Sequence, residues 1–527
     1  MRRLALPIAA LIVTALHAQT PSFDVLLTHA RIVDGTGAMW FRGDIAIQGD
    51  TIVRVAPSIE GVARRTIDAG GRVVSPGFID IHTHARRGIN QVPTADNYTR
   101  QGVTTVIEGP DGSSPLPLRP FLDALAQLRT SVNIGAFVGQ GSVRSEVMGD
   151  VNRKATPEEI GRMTALMETA MRDGALGIST GLFYVPGTFT PTDEVIALAK
   201  VAAKYGGMHE SHQRDDASKV LDSVRETIAI GEGGGLPTQV SHAKVVGTAN
   251  FGKSKEMLAL IDAARARGVD VTLDQYPYTA SSTSVAAALL PAWALEGTRA
   301  DQLARLKDPA QRARIKSDSI AMIRDERGGG DAKNVQFASC GFDPSLAGKT
   351  LADLTRQRGL EPTIPNAADT TMWLVEQGGC QGIFHAMSED DLVRILKHPA
   401  TMIASDGEVP IFGRANPHPR SYGTFARVLG RYVRDEHVLT LEEAVRKMTS
   451  FPAARLGFTD RGVLRPGMKA DIAIFDPATV RDTATFTAPH QYAEGFFAVL
   501  VNGQVIFENG AMTPARPGQI LYGRGRR

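Results

Sequence analysis

From Asp24 to about Val74, apolar and polar positions alternate in short runs. Asp44-Ile45-Ala46-Ile47 and Thr51-Ile52-Val53-Arg54-Val55 are separated by Gly/Asp turns, and this period-two pattern predicts a small antiparallel sheet. The same texture returns at the far end, in Ala470-Asp471-Ile472-Ala473-Ile474-Phe475 and around Val499-Leu500-Val501-Asn502-Gly503. There Asn502-Gly503, followed by Gln504-Val505-Ile506-Phe507, is a strong two-residue hairpin signal. The two strand-rich ends, residues 22–76 and 459–527, are expected to pair into one β-sandwich.

Between them the pattern changes to apolar strands alternating with amphipathic helices, which predicts a parallel α/β fold. Thr156-Pro157-Glu158-Glu159 reads as a capping box, followed by Met163, Leu166, Met167, Ala170 and Met171 at helical spacing and by Gly174 as a stop. Thr440-Leu441-Glu442-Glu443 opens a later helix in the same way, with Pro452 expected to end it. Strand candidates fall at 77–82, 103–108, 132–138, 175–180, 206–211, 237–241, 269–274 and 401–405. Eight is the number a closed (β/α)8 barrel requires. The interval 279–399 is too long for a loop. It predicts an inserted helical subdomain at 286–370, with a charged helix over 303–327 and a break at Arg327-Gly328-Gly329-Gly330. The barrel would then occupy 77–285 and 371–458.

Composition narrows the function classes. With 527 residues, 43% of them hydrophobic and 22% charged, and a net charge of +2, nothing marks the chain as disordered, membrane-embedded or nucleic-acid-binding. A small-molecule substrate is the expected partner. Arg2 and Arg3 precede an apolar run from Leu4 to Leu16 that ends at His17-Ala18. That is a signal-peptide pattern over residues 1–18, too short for a bilayer span, and it implies a secreted or periplasmic protein free of the membrane after cleavage. Cys340 and Cys380 are the two cysteines. They allow one bridge without implying it, and neither sits in a Cys/His cluster, so a metal site must be built from histidines and carboxylates.

Those residues fall at strand ends. His82 and His84, two apart in Asp80-Ile81-His82-Thr83-His84, share one face of extended chain. His212 ends the fifth strand candidate, His242 the sixth and Asp406 the eighth, all on the edge where barrel active sites form. Nitrogen and carboxylate donors without thiolate suit zinc, manganese, cobalt or nickel.

The stretch Val74-Ser75-Pro76-Gly77-Phe78-Ile79-Asp80-Ile81-His82-Thr83-His84 resembles the opening signature of the amidohydrolase superfamily. More narrowly, the chain resembles the N-acyl-D-amino-acid deacylases in Gly177-Ile178-Ser179-Thr180-Gly181-Leu182-Phe183-Tyr184, Ser211-His212-Gln213-Arg214-Asp215 and Ser241-His242-Ala243-Lys244. Asp274-Gln275-Tyr276-Pro277-Tyr278, Ser405-Asp406-Gly407, His418-Pro419-Arg420 and Arg465-Pro466-Gly467-Met468-Lys469-Ala470-Asp471 extend the likeness over nearly the whole chain. The resemblance implies a barrel joined to a β-sandwich, and one or two divalent ions, zinc first. In that family the metal-bridging residue after the second strand is usually cysteine, whereas here Gly109-Pro110-Asp111-Gly112 puts a carboxylate in the slot. Asp111 bridging two ions, Glu108 doing so, and loss of the bridge are the alternatives, in that order. A branch that uses a carboxylated lysine after the fourth strand is disfavoured, because no lysine lies between Lys154 and Lys200.

The activity implied is metal-dependent hydrolysis of the amide bond of an N-acyl amino acid, with D stereochemistry resting on the resemblance alone. Asp406 is expected to take a proton from the attacking water and hand it to the leaving nitrogen. A product carboxylate calls for a cation and hydroxyl donors. Lys244 is the first candidate, with Tyr184, Tyr276 and Arg420 beside it. The alternatives are a dipeptidase or other amidase of the same superfamily, and a non-catalytic periplasmic metal- or ligand-binding barrel.

Overall fold

The computed structural model describes residues 22–526, so the signal-peptide segment lies outside the described residues. Eight parallel strands form the barrel: Phe78–Asp80, Val103–Glu108, Asn133–Ala136, Gly177–Gly181, Met208–His212, Thr238–Val240, Val271–Gln275 and Thr401–Ile403. The third continues as Val138–Gly139 to pair with the fourth. Closure occurs at the rim, where Thr83–His84 pairs in parallel with Gly407–Glu408. There the Asp406 N–H donates to the His82 carbonyl at 3.0 Å, and the Ser405 N–H to Asp80 Oδ1 at 3.0 Å. The strands carrying His82 and Asp406 are therefore locked side by side.

Amphipathic helices that follow the strands cover the barrel, and one shows how such a helix is bounded. Pro157–Asp173 starts at Thr156, whose side chain accepts the Glu159 N–H while Glu159 returns the bond, and stops at Gly174 with φ +111°. Its buried face, Met163, Met167, Ala170 and Met171, packs on Leu198, Ala199 and Ala202 of the next helix. The expected stop at Pro452 does not occur. The helix Leu441–Met448 ends earlier, and Pro452 lies in the first turn of a second helix, Ser450–Leu456, where a missing N–H leaves no bond unmade.

The interval after the seventh strand differs from the all-helical expectation. Ser281–Ser284, Val335–Cys340 and Cys380–Phe384 form a three-stranded antiparallel sheet, with Cys380–Phe384 in the middle. Val335-Gln336-Phe337 alternates apolar and polar side chains, a strand period hidden among long helices. The chain therefore leaves the barrel until after Phe384, beyond the expected return at 371. The charged helix is two, Arg299–Lys307 and Pro309–Asp325, divided where Asp308 caps the second and Pro309 opens it. A disulfide joins Cys340 to Cys380 across two of the three strands.

The chain ends share one nine-stranded sheet, as the pairing of the two strand-rich ends requires. Val73–Pro76 pairs antiparallel with Ile472–Phe475, which joins the ends. The sheet folds back on itself, because the Ile52 N–H donates to the Met468 carbonyl and Ile45, Ile47 and Ile52 share a core with Ile472, Leu500 and Val505. Asn502 and Gly503 make the predicted hairpin turn, both at positive φ.

Candidate metal centre

The six sequence-predicted donors meet at the C-terminal rim in two clusters that share one residue. His82, His84, Asp111 and Asp406 form one, and Asp111, His212 and His242 the other. Three of the six adopt left-handed backbone just past their strands: Asp111 at φ +56°, His242 at +36° and Asp406 at +51°. Each such conformation costs roughly 1–3 kcal/mol unless its surroundings fix it. Each is tied by its own N–H to another strand: Asp111 to Glu210 Oε1 at 3.2 Å, His242 to Asp274 Oδ1 at 2.8 Å and Asp406 to the His82 carbonyl. The Asp111 loop also depends on Gly112 (φ +71°), where a Cβ would stand 2.6 Å from the Gly181 nitrogen.

The spacing of the donor atoms is that of ligands around a common cation. Asp111 Oδ1 lies 3.5 Å from His82 Nε2, 3.3 Å from His212 Nδ1 and 3.3 Å from His242 Nε2, and Oδ2 lies 3.5 Å from His84 Nε2. Asp406 Oδ1 is 3.1 Å from His84 Nε2 and 3.7 Å from His82 Nε2. Two ligands held tetrahedrally at zinc-like bond lengths stand about 3.3 Å apart. Among the described residues His82 Nε2, His84 Nδ1 and His212 Nε2 are buried without a hydrogen-bond partner, and His82 Nδ1, also unbonded, faces Glu210 Oε2 at 3.4 Å. Orphaned buried imidazoles are costly, and a cation among them supplies the missing partner for those aimed inward. The donor set fits a divalent metal.

Charge in the site is arranged accordingly. Burial opposes ionisation of Asp111, but His212 and His82 outweigh it and hold the carboxyl well below its ordinary value. Burial likewise opposes the charge on Asp406, and Arg420, whose Nη1 is 2.6 Å from Oδ2, followed by His84, reverses the balance. His242 is pushed down to about 3 by burial and then by Lys244, so its ring is neutral. His82 moves the other way: burial lowers it, yet Asp111 and Glu210 raise it well above its usual range. The carboxylates thus draw a proton onto His82, which a cation would displace.

The site opens on a cavity of about 1490 Å³ lined by His84, Asp111, Tyr184, Asp406 and Arg420 among others. Tyr184 donates to or accepts from Thr283 Oγ1 at 2.9 Å, tying the fourth strand's loop to the inserted sheet. Tyr276 is 1% exposed and lies under Arg420, whose guanidinium carbon is 4.8 Å from the ring centre. Lys244 is buried and engaged with its neighbours. Its Nζ bonds His242 Nδ1 at 2.6 Å and the His242 carbonyl at 3.0 Å, and pairs with Asp216 at 3.2 Å. As placed, it braces a candidate ligand. Glu108 accepts the Arg86 and Gly109 N–H groups and is not among the clustered donors.

Sequence reasoning passed over three residues. Glu210 sits two before His212, hence on the same face of its strand, and that spacing was a usable signal. Asp216 pairs with Lys244 and, at 2.7 Å, with Arg327. Arg327 is drawn from the Gly-rich break in the insertion, where nothing local marks it.

A closed parallel barrel with imidazoles and carboxylates gathered at its C-terminal rim has the architecture of a barrel metallohydrolase. The chain belongs to the amidohydrolase family, whose model matches residues 65–195 and 330–507. It is 36% identical over 522 residues to a D-aminoacylase of Alcaligenes xylosoxydans xylosoxydans, covering 95% of this chain and 97% of that protein. It is similar to a structure described for the binuclear metal centre of D-aminoacylase, with one-metal activation and second-metal attenuation (TM-score 0.81, 36% identity, 95% of this chain and 100% of that one). It is also similar to an N-acyl-D-glutamate deacylase from Bordetella bronchiseptica complexed with zinc and a phosphonate mimic of the tetrahedral intermediate (TM-score 0.80, 35% identity, 95% and 100%).

Proposed function

We propose that the protein is a metal-dependent deacylase that hydrolyses the amide bond of N-acyl-D-amino acids. The observation that carries this reading is the pair of donor clusters with Asp111 common to both, in a chain alike over nearly its full length to deacylases of that class. His82, His84, Asp111 and Asp406 would hold one divalent ion, zinc in the first instance, and Asp111, His212 and His242 a second. When bound, such an ion polarises the scissile carbonyl and makes water acidic enough to attack at neutral pH.

The chain's own groups supply the rest. Asp406 takes the proton of the attacking water and delivers it to the amide nitrogen, so that the C–N bond breaks with a neutral amine leaving. Arg420, which lines the cavity and rests on Tyr276, supplies a fixed cation for the substrate carboxylate. Tyr184 keeps its proton, since burial pushes its hydroxyl well above the usual range, and is a neutral donor facing the cavity. Lys244 acts on the carboxylate only if it leaves His242. Otherwise it serves by fixing that ring.

We also propose that the protein works outside the cytoplasm. The apolar run after Arg2-Arg3 and the Cys340–Cys380 disulfide support this, because such bridges persist in oxidising compartments.

The test is to count metals per chain and to assay N-acetyl-D- and N-acetyl-L-amino acids beside dipeptides. Turnover of the D substrates is expected. Hydrolysis of dipeptides alone would displace this reading in favour of a dipeptidase.

A further inference from the structure

Beneath the donor clusters lies a carboxylate that none of the roles above uses. Glu210 is 1% exposed, on the inward face of the fifth strand. Its two oxygens meet groups from three other parts of the rim. Oε1 accepts the N–H of Asp111 at 3.2 Å. Oε2 accepts the hydroxyl of Ser241, the residue before His242, and stands 3.4 Å from His82 Nδ1.

We propose that Glu210 is the positioning residue of the metal centre, holding His82 and the shared ligand Asp111 in ligating geometry through one buried carboxylate. The proposal rests on the metal reading above and adds a residue to it. Two separate effects follow from the contacts. A carboxylate facing His82 Nδ1 keeps the ring proton there, which leaves the Nε2 lone pair directed at Asp111 and Asp406. The bond to the Asp111 N–H fixes a residue at φ +56°, a conformation that local sterics disfavour for any residue bearing a Cβ. Ser179 holds the neighbouring Gly109 and Gly112 backbone, so loss of Glu210 frees the Asp111 N–H itself and with it the orientation of the shared carboxylate.

The chemistry requires two acceptors, and this decides the variant. Asp111 N–H and Ser241 O–H donate to Glu210, and His82 Nδ1 faces the same carboxylate at 3.4 Å. Glutamine keeps the size of the side chain but has one acceptor end, so its NH2 must oppose either the Asp111 amide or the His82 ring. E210Q should therefore fold and still lose metal. Outer partners of this kind are worth roughly tenfold to a hundredfold in metal affinity.

The experiment compares wild type, E210Q and E210A for zinc content after dialysis against a graded zinc buffer, alongside the cobalt-substituted visible spectrum and the thermal midpoint of the metal-free chains. The expected result is a thermal midpoint for metal-free E210Q close to that of wild type. Its zinc affinity should be at least about tenfold weaker and its cobalt bands altered, with a larger loss in E210A. Zinc affinity in E210Q within threefold of wild type, with unchanged cobalt bands, overturns the proposal. So does a loss in E210Q no greater than its loss of fold stability accounts for. A wild-type chain that takes up no zinc would instead overturn the metal reading, and the proposal with it.

Discussion

Replacing Asp406 with asparagine separates proton transfer from metal binding. In the wild type Oδ1 is 3.1 Å from His84 Nε2 and Oδ2 is 2.6 Å from Arg420 Nη1, with the side chain 7% exposed. In D406N the amide oxygen can keep the place of Oδ1 facing His84. The amide nitrogen then meets Arg420 donor to donor and cannot carry a proton from water to the leaving nitrogen. Loss of a positioned acid–base group lowers rates by roughly 10²–10⁴-fold, about 2.7–5.5 kcal/mol in the barrier. Metal should be lost far less, because His82, His84 and Asp111 remain in the same cluster. The assay is kcat on an N-acetyl-D-amino acid at saturating zinc, with metal per chain measured on the same sample. A kcat within threefold of wild type would refute the proton route. A fall in activity that merely tracks lost metal would refute the division of roles.

Three further outcomes are expected. D111N should cut the metal count from two to one, since a neutral amide offers one ligand oxygen, while D111C should restore tight binding with a shift towards softer ions; metal titration of both variants checks this, and wild-type stoichiometry in D111N contradicts it. His209, buried between Thr180 and Thr238 on the strand that ends at His212, is lowered by burial and then Arg455 to about 3. An unfolded histidine protonates near 6.5, so between about 6.5 and 3 the unfolded chain binds the extra proton and stability falls as pH drops through that window. At pH 5 the loss is about 2 kcal/mol relative to pH 7, and H209Q should abolish that part of the slope in denaturant titrations at the two pH values. Opening the Cys340–Cys380 bridge, which spans a sequence separation of 40, should destabilise the inserted sheet by about 4 kcal/mol on the chain-entropy model; an unchanged denaturation midpoint in C340S/C380S would contradict this.

The strands and their order were legible because short buried segments alternate with amphipathic helices and end in polar residues at the rim. His82, His212, His242 and Asp406 stood out for the same reason. Asp111 was visible only as a departure from a familiar pattern, since spacing could not show that a left-handed residue in a glycine loop would reach the centre of the site. The inserted sheet escaped notice because Ser281–Ser284 carries no apolar alternation and its pairing partner Cys380–Phe384 lies about a hundred residues away. The contacts of Lys244 could not be read from spacing: the two-residue step from His242 assumes an extended chain, whereas His242 itself turns at φ +36° and the lysine packs against its ring. Arg327 and Asp216 pair across the barrel mouth from segments with no local relation, so only the folded chain brings them together.

Crystals of the zinc-loaded protein, measured for anomalous scattering at the zinc edge, test the account most directly. It predicts two peaks at the barrel rim, one within bonding distance of His82, His84 and Asp406, the other of His212 and His242, with the Asp111 carboxylate touching both. Zinc located elsewhere, or a rim peak that Asp111 does not ligate, would contradict it.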